Sequence, residues 1–410
     1  MSLLASRRPP RFALRRAVGV TALAFGVGLT SACTSASAPV ALSSSSAPDR
    51  SAPTAMSAAP AGSGAVTPVS APFGDVCGDT YLRQFDLRGK LAQLLTVGVS
   101  GPADALNVVR SHQVGGIFVG SGTDQALLTN GSLAEVKNQA KVPLMVTIDE
   151  EGGRVSRIPN LIGTQPSAKE VAATMSPQQA YEQEKARATK LRDLGITVDF
   201  APVVDVSDQP DDTVIGDRSF SGDPNVVTQY ADAYIRGLHD AGLGAVIKHF
   251  PGHGSASGDS HLGPVTTPPF AAMQGRDLVP FRNLIGSGAA VMVGHLDVPG
   301  LTAAGRPASI SPEVMRALRT GLPYGALPFN GVIFTDDLSG MAAITDRMGV
   351  PAAVEAALVA GADDALWIST DAVPAVLDQL TQAVAAGRLS EQQVDESVLR
   401  VGRFKNAVPC

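Results

Sequence analysis

The sequence is short of aromatic residues, of cysteine and of positive charge. Aromatic residues make up 5% of the 410, there are three cysteines, and 32 basic residues against 38 acidic ones give a net charge of −6. A chain without a basic stripe is not built to bind nucleic acid or an anionic lipid surface through its charge. So few aromatic rings also argue against a stacking platform for a long glycan. The single tryptophan, Trp367, is expected to pack in the core.

The first 33 residues have the pattern of an export signal. Five arginines within residues 7–16 precede the apolar run "AVGVTALAFGVGLT", which is too short to span a membrane comfortably. The run leads into "LTSAC", which resembles the bacterial lipobox that ends at a lipid-modified cysteine. We therefore expect residues 1–32 to be a signal peptide and Cys33 to carry a diacylglycerol, which suffices for stable anchoring. Plain secretion is the alternative.

Residues 33–72 consist almost entirely of Ser, Ala, Pro, Thr, Gly and Val. Such a segment buries too little apolar surface to fold, so we expect a disordered tether. The folded domain would then comprise residues 73–410, held at the outer face of the cytoplasmic membrane by the lipid alone, and we expect a monomer. Cys77 and Cys410 form an even pair at the two ends of this domain. A disulfide between them is one expectation, and two free thiols are the other.

Eight short apolar runs alternate with segments long enough for helices from about residue 87 onward. The runs are rich in Val, Ile and Leu and mostly continuous, as in strands that are buried on both faces. They are "LLTVGVS", "GGIFVG", "PLMVTID", "ITVDFAPVVD", "GAVIKHF", "AAVMVGHL", "GVIFTDD" and "DDALWIS". Eight β/α units predict an α/β fold of the (β/α)8 barrel type, with a doubly wound parallel sheet as the alternative.

Polar residues directly follow five of these runs. From the third run to the seventh, the strand-end segments read "IDEEGGR", "APVVD", "KHFPGHG", "GHLD" and "TDDLSG". The carboxyl ends of barrel strands share one rim, and catalytic residues gather there. The segments therefore predict a single active site.

The segment "KHFPGHGSASGDSH" (248–261) is open to three kinds of site. Its histidines, His249, His253 and His261, lie in a loop with Gly and Pro and without an HExxH pattern, which is unfavourable for a metal site. Lys248 comes first and Pro251 interrupts the loop, which does not suit a phosphate cradle. We expect no metal, and we expect His253 to brace the loop by hydrogen bonding.

Sugar chemistry fits the segment better. Asp259 lies two residues before His261, so its carboxylate can hold the imidazole and stabilise its charged form, as a general acid/base requires. Asp336, in "TDDLSG", supplies a carboxylate at the end of the seventh strand. A carboxylate nucleophile and a proton donor on opposite sides of a glycosidic bond make a retaining glycosidase.

Five segments together resemble glycoside hydrolase family 3, and within it the NagZ-like β-N-acetylglucosaminidases. They are "IDEEGGRVSR" (148–157), "GDRSF" (216–220), "KHFPGHG" (248–254), "GDSH" (258–261) and "FTDDLSGM" (334–341), in that family's order. The resemblance implies a nucleophile at Asp336 and an acid/base at His261, with Asp259 as its partner. It also implies five residues that bind the terminal sugar, which are Asp149, Arg157, Arg218, Lys248 and His249.

Neighbouring polar residues are left outside this set. Asp337 is expected to be a hydrogen-bonding helix cap. Glu150 and Glu151 are expected to be local hydrogen-bond partners or solvated charges. Asp205 and His295 also lie at strand ends, but they match no pattern as strongly.

We therefore expect a single-domain exo-β-N-acetylglucosaminidase that needs no cofactor. Its substrates would be small glycans in peptidoglycan turnover, such as N-acetylglucosamine (GlcNAc) linked to N-acetylmuramic acid (MurNAc), or muropeptides. Within the family, the alternatives are a β-glucosidase and a GlcNAc phosphorylase, since a neutral histidine repels phosphate less than a carboxylate does. From another class, the alternative is a non-catalytic sugar-binding lipoprotein, which would need no nucleophile.

Overall fold

A computed structural model of the protein describes residues 76–409. The predicted signal peptide (1–32), Cys33, the tether (33–72) and Cys410 therefore lie outside the described residues. Cys77 is disulfide-bonded, and its pairing with Cys410 stays a prediction.

Ten strands lie within the described residues, and eight of them form one parallel sheet. The strands are β1 Leu95–Gly98, β2 Gly116–Val119, β3 Met145–Ile148, β4 Val198–Asp199, β5 Gly244–Phe250, β6 Val265–Thr266, β7 Ala290–Val293, β8 Leu296–Asp297, β9 Ile333–Thr335 and β10 Ala365–Trp367. The order in the large sheet is β10-β1-β2-β3-β4-β5-β7-β9, and its two outer strands meet at a parallel bridge between Phe334 and Asp364. The predicted (β/α)8 barrel is confirmed, and the doubly wound sheet is wrong, because that sheet stays open.

The strand β5 is irregular at the point where the sequence places two site residues. Between Ile247 and Phe250, β5 has two residues where its neighbour β7 has one, so the register shifts there. The two residues are Lys248 and His249, and both side chains line the cavity described below. In a regular strand, successive side chains point to opposite faces, so the irregularity lets two neighbours serve one site.

Helices surround the barrel within the described residues. The α-helices are α1 Val76–Leu82, α2 Leu87–Ala92, α3 Pro102–His112, α4 Ala126–Thr129, α5 Ser132–Gln139, α6 Pro159–Ile162, α7 Ala168–Thr174, α8 Pro177–Asp193, α9 Pro224–Asp240, α10 Phe270–Met273, α11 Leu278–Leu284, α12 Pro312–Thr320, α13 Ala342–Thr345, α14 Val350–Ala360, α15 Val373–Ala385 and α16 Glu391–Phe404. Two 3-10 turns lie at Gly216–Arg218 and Ala308–Ile310. No helix in residues 76–409 combines the length and the apolar character that crossing a bilayer requires.

The start of α8 shows how the sequence sets a helix boundary. Ser176 Oγ accepts a hydrogen bond from Gln179 N, and the Gln179 side chain accepts one from Ser176 N. Pro177, at the first helical position, has no N–H to leave unpaired. This capping box satisfies backbone donors that the first turn of a helix otherwise leaves without partners.

Aromatic side chains from the strand ends and the last helix pack together in the core. The ring centroids are 5.9 Å apart for Phe118 and Phe200, 5.4 Å for Phe200 and Phe334, and 6.0 Å for Phe334 and Phe404. Contacts of this kind add about 0.5–1.5 kcal/mol each beyond the burial of apolar area. Trp367 is fully buried, as predicted. These rings thus serve the core.

Removal of Phe334, one of the two inner rings of this group, should weaken the fold measurably. We expect Phe334→Ala to lower the free energy of unfolding by about 3–5 kcal/mol, because it deletes a fully buried side chain and leaves a cavity. Urea titration followed by circular dichroism measures the loss. Leu327→Ala is the control, since that side chain is 69% exposed and should change stability by no more than about 0.5 kcal/mol. Equal effects of the two substitutions would contradict the packing described here.

Candidate active site

A cavity of about 900 Å³ opens at the carboxyl ends of the barrel strands. All eight residues that the sequence analysis assigned to catalysis or sugar binding line it: Asp149, Arg157, Arg218, Lys248, His249, Asp259, His261 and Asp336. Lys248 and His249 lie at the end of β5, and the other six lie in the segments after β3, β4, β5 and β9. The structure thus brings together residues that are up to 187 positions apart in the sequence.

Five charged side chains form a continuous chain of ion pairs along the cavity wall, which we call the charge chain. Lys248 Nζ lies 2.6 Å from Asp149 Oδ1 and 2.7 Å from Glu151 Oε1. Arg157 Nη2 contacts Asp149 Oδ2 at 2.9 Å, and Arg218 contacts both Glu151 oxygens at 2.7 and 2.8 Å. Three cations and two anions alternate, so the charge chain carries a net charge of +1.

Each of these carboxylates is held in its charged form by its partners. Burial raises the pKa of Asp149, but Lys248 and Arg157 lower it further than burial raises it. Burial likewise raises the pKa of Glu151, and Arg218 and Lys248 bring it well below its ordinary value. For Lys248, burial lowers the pKa, and the two carboxylates more than offset that effect. All members of the charge chain are therefore ionised at neutral pH.

The prediction for Glu150 and Glu151 was partly wrong. Both side chains are buried, so neither is a solvated charge. Glu150 is a local partner as expected, since it accepts hydrogen bonds from Ser156 Oγ at 2.7 Å and Ile158 N at 2.8 Å. Glu151 instead pairs with Arg218, which is 67 residues away in sequence. Glu151 is thus a member of the site that the sequence analysis missed.

Asp336, at the end of β9, is a buried carboxylate, and one of its two oxygens accepts a hydrogen bond. Its Oδ1 accepts a hydrogen bond from Asp337 N at 2.9 Å, and its Oδ2 has no such partner among residues 76–409. Burial raises the pKa of Asp336, but His249 and His295 nearby, together with the bond from Asp337 N, lower it further. The group is therefore an anion at neutral pH, as a nucleophile must be.

The turn after Asp336 differs from the prediction. Asp337 Oδ1 accepts hydrogen bonds from Ser339 N at 2.8 Å and Ser339 Oγ at 2.7 Å, whereas the next helix, α13, is preceded by Met341. Asp337 therefore stabilises a turn and caps no helix. Its carbonyl lies 2.7 Å from Nε2 of buried His295. His295 thus supports the backbone beside Asp336, although the sequence analysis had left it out.

Asp259 and His261 form the pair that the sequence predicted, at the mouth of the cavity. Asp259 Oδ1 lies 2.7 Å from His261 Nδ1 and accepts a second hydrogen bond from His261 N at 2.9 Å. The two side chains are 35% and 54% exposed. Ser260 between them is fixed, because its carbonyl accepts a hydrogen bond from Ala343 N at 3.1 Å. With Nδ1 held by the carboxylate, Nε2 of His261 is the atom left for proton transfer.

His253 does not brace the loop through its ring. Both ring nitrogens are buried without a hydrogen-bond partner among the described residues. The backbone of His253 makes the brace instead, through N to Asp205 Oδ1 at 2.6 Å and through O to Ala256 N at 3.0 Å. Asp205 is fully buried and does not line the cavity, but it holds the ring of His249, which does, so it supports the site although the sequence analysis had left it out.

The three histidines of this loop are not arranged around a common point. Nδ1 of His249 is bound to Asp205 at 2.7 Å and Nδ1 of His261 to Asp259. No group of three or more His, Cys, Asp or Glu side chains in residues 76–409 has the arrangement of a metal site.

Comparisons with known proteins place these residues in a family. Residues 86–404 match the model of the glycosyl hydrolase family 3 N terminal domain. The beta-hexosaminidase LpqI of Mycobacterium tuberculosis is 55% identical over 353 residues, which cover 85% of this chain and 90% of that protein. A beta-hexosaminidase of Stenotrophomonas maltophilia is 37% identical over 265 residues, or 63% of this chain and 75% of that protein.

Solved structures give the same result. A glycosyl hydrolase of this family from Mycobacterium smegmatis superimposes with a TM-score of 0.78 at 58% identity, over 79% of this chain and 98% of that one. A family 3 β-N-acetylglucosaminidase from a Paenibacillus species superimposes with a TM-score of 0.73 at 35% identity, over 79% of this chain and 62% of that one.

The charge chain predicts how stability depends on pH. Because the pKa of Glu151 is lower in the folded protein than its ordinary 4.5, its contribution is present above that value and is lost as the pH falls below it. We expect Glu151→Gln to lower the free energy of unfolding by about 3 kcal/mol at pH 7, because it leaves Lys248 and Arg218 underpaired.

Urea titrations at pH 7 and pH 4 test this expectation, and the difference between wild type and variant should be smaller at pH 4. Asp211→Asn serves as the matched control, since its ion pair with Lys169 is exposed and is worth at most about 1 kcal/mol. A Glu151→Gln protein as stable as wild type at pH 7 would contradict the role assigned to the charge chain.

Proposed function

Since the chain belongs to glycosyl hydrolase family 3, we propose that it is a retaining exo-β-N-acetylglucosaminidase that removes non-reducing terminal GlcNAc from small cell-wall glycans. One observation carries the proposal. An ionised, buried Asp336 lies in the same cavity as an exposed histidine–aspartate pair, His261 and Asp259. A nucleophile and a proton donor are the two groups that a retaining glycosidase requires.

In the first step, the free Oδ2 of Asp336 attacks the anomeric carbon of the terminal sugar. The bond from that carbon to the glycosidic oxygen breaks as the new carbon–oxygen bond forms. The leaving oxygen takes a proton from Nε2 of His261, whose charged ring is stabilised by the carboxylate of Asp259. The products are a glycosyl ester of Asp336, a released aglycone alcohol and a neutral His261.

In the second step, the direction of proton transfer reverses. Neutral His261 takes a proton from water through Nε2, and the water oxygen attacks the anomeric carbon. The ester bond to Asp336 breaks, and the carboxylate returns to its ionised state. Two inversions at one carbon give net retention of configuration. The exposure of His261 and Asp259 suits this step, because the incoming water reaches the site from the mouth of the cavity.

The charge chain is the binding wall for the terminal sugar in this proposal. Asp149 accepts hydrogen bonds from sugar hydroxyls, while Lys248, Arg157 and Arg218 donate to sugar oxygens. Hydrogen bonds to charged groups are stronger than those between neutral groups, and a sugar is a neutral ligand that offers donors and acceptors at every carbon. Lys248 of the charge chain also helps to lower the pKa of Asp336 and so stabilises it as an anion.

The natural substrate class follows from two lines of support. The relatives compared above are named beta-hexosaminidases and β-N-acetylglucosaminidases. The first 33 residues predict an exported, lipid-anchored protein, and the polymer that carries β-linked GlcNAc in the bacterial envelope is peptidoglycan. We therefore infer that GlcNAc–MurNAc fragments or muropeptides are the substrates, and that the enzyme acts in cell-wall turnover.

Hydrolysis of aryl glycosides by the purified protein tests the proposal. We expect an aryl β-N-acetylglucosaminide to be cleaved with higher kcat/KM than the matching β-glucoside, and Asp336→Ala to lose about a thousandfold or more in kcat, because no nucleophile remains. Asp378→Ala is the control, since that carboxylate lies in an exposed ion pair with Arg88 and should leave both rates unchanged. A GlcNAc–MurNAc disaccharide should release free GlcNAc.

Each alternative gives a different result in the same assay. Equal or higher rates on the β-glucoside would indicate a β-glucosidase. Formation of GlcNAc 1-phosphate when phosphate is added would indicate a phosphorylase. Absence of cleavage of either glycoside would favour a sugar-binding protein.

A further inference from the structure

Asp205 is a buried carboxylate to which neither the family resemblance nor the comparisons assign a role. It follows β4 in the segment "APVVD", and its side chain has no exposed surface. Burial raises its pKa, but the contacts with His249 and His253, including the hydrogen bonds that they donate, together bring the pKa below its ordinary value, so the group stays ionised. Burial of a carboxylate is unfavourable by several kcal/mol unless partners compensate, and the identity of those partners indicates what the group does.

The partners of Asp205 lie at the end of β5 and in the loop that follows it. Oδ2 lies 2.7 Å from Nδ1 of His249. Oδ1 accepts hydrogen bonds from His249 N at 3.2 Å and from His253 N at 2.6 Å. One carboxylate thus fixes both the ring of a residue that lines the cavity and the backbone of the loop that leads to the Asp259–His261 pair.

The backbone around Asp205 leaves little freedom for a different arrangement. A Cβ atom at Gly254 would lie 2.2 Å from the carbonyl oxygen of Val206, so only glycine fits where the two segments meet. Val204 N donates to Lys248 O at 2.8 Å on the other side of Asp205. The carboxylate is therefore held in place from both sides, and His249 must orient its ring to match it.

The contact from Asp205 determines which ring nitrogen of His249 carries a proton. A carboxylate accepts hydrogen bonds and has none to donate, so Nδ1 of His249 must be protonated. In the neutral ring, Nε2 then has a lone pair and acts as an acceptor. Of the other four residues assigned to sugar binding, three are cations, which only donate, and the fourth is Asp149, which accepts.

We propose that Asp205 is a positioning residue that keeps neutral His249 in the Nδ1–H tautomer, so that Nε2 accepts a hydrogen bond from a hydroxyl of the terminal sugar. This inference rests on the proposed function for its ligand, although its first test does not. In the hydrogen bond between His249 and the sugar, the sugar hydroxyl is then the donor and Nε2 the acceptor, so the sugar-binding residues have a second acceptor beside Asp149. At that position the site therefore favours a hydroxyl over a substituent that can only accept hydrogen bonds.

The first test is the protonation pattern of His249 in the wild-type protein, read from ¹⁵N chemical shifts of its imidazole. The His249→Gln protein identifies the signal by its loss, and the signal of His239, at the far end of α9, serves as a reference outside the site. We expect a neutral ring protonated at Nδ1. A neutral ring protonated at Nε2, or an imidazolium at pH 7, would overturn the proposal whatever the protein hydrolyses.

The second test uses Asp205→Asn, which preserves size and exchanges one acceptor oxygen for an NH₂ donor. Donation from the amide to Nδ1 should move the proton of His249 to Nε2. We expect kcat/KM for the aryl β-N-acetylglucosaminide to fall by about tenfold or more, because the hydroxyl then meets a donor. If this variant does not fold, the ¹⁵N measurement on wild type decides alone.

A double substitution separates positioning from a purely structural role. In a His249→Gln background, Asp205→Asn should reduce kcat/KM by about twofold at most, since the ring through which Asp205 acts is gone. Equal losses in both backgrounds would show that Asp205 acts only through the loop at His253, and would overturn the proposal. Wild-type activity measured in the same series shows separately whether the proposed function holds.

Discussion

The interaction on which the rest of the site depends is the buried ammonium group of Lys248 between the carboxylates of Asp149 and Glu151. Burial of one charge is unfavourable by several kcal/mol, so each member of the charge chain is retained only because the next is in place. Arg157 and Arg218 complete the sequence of charges at its two ends. These ion pairs hold the end of β5 against the segment after β3. The sugar-binding wall therefore takes its position from the strands of the barrel.

Against this fixed wall, the site divides into a buried half and an exposed half. Asp336 is buried and ionised, which suits a nucleophile that must attack carbon in competition with water. His261 and Asp259 are open to solvent, which suits a group that exchanges a proton with water in every cycle. Asp205 connects the two halves, since it holds the buried ring of His249 and the start of the loop that carries the exposed pair.

The fold and most of the site could be predicted from the sequence because their signals are local. Strands buried on both faces are continuous apolar runs, and polar residues lie at their carboxyl ends on one rim, as in "KHFPGHG", which begins within the last residues of β5. Glu151 and Asp205 were not assigned because their partners are distant in sequence, at Arg218 and His249. No periodicity or spacing indicates such a pair. The helix cap predicted at Asp337 failed for a different, local reason, since the chain turns there, with Ser339 as the partner of Asp337, before its next helix begins.

The central claim is that Asp336 forms a covalent bond to the sugar, and trapping that intermediate tests it most directly. A 5-fluoro derivative of N-acetylglucosaminyl fluoride slows both steps, while its good leaving group allows the first, so the glycosyl-enzyme should accumulate. Intact mass should rise by one fluorinated sugar residue, and peptide mapping should locate it on Asp336. An active enzyme that gives no adduct, or an adduct on another residue such as Asp337, would contradict the account.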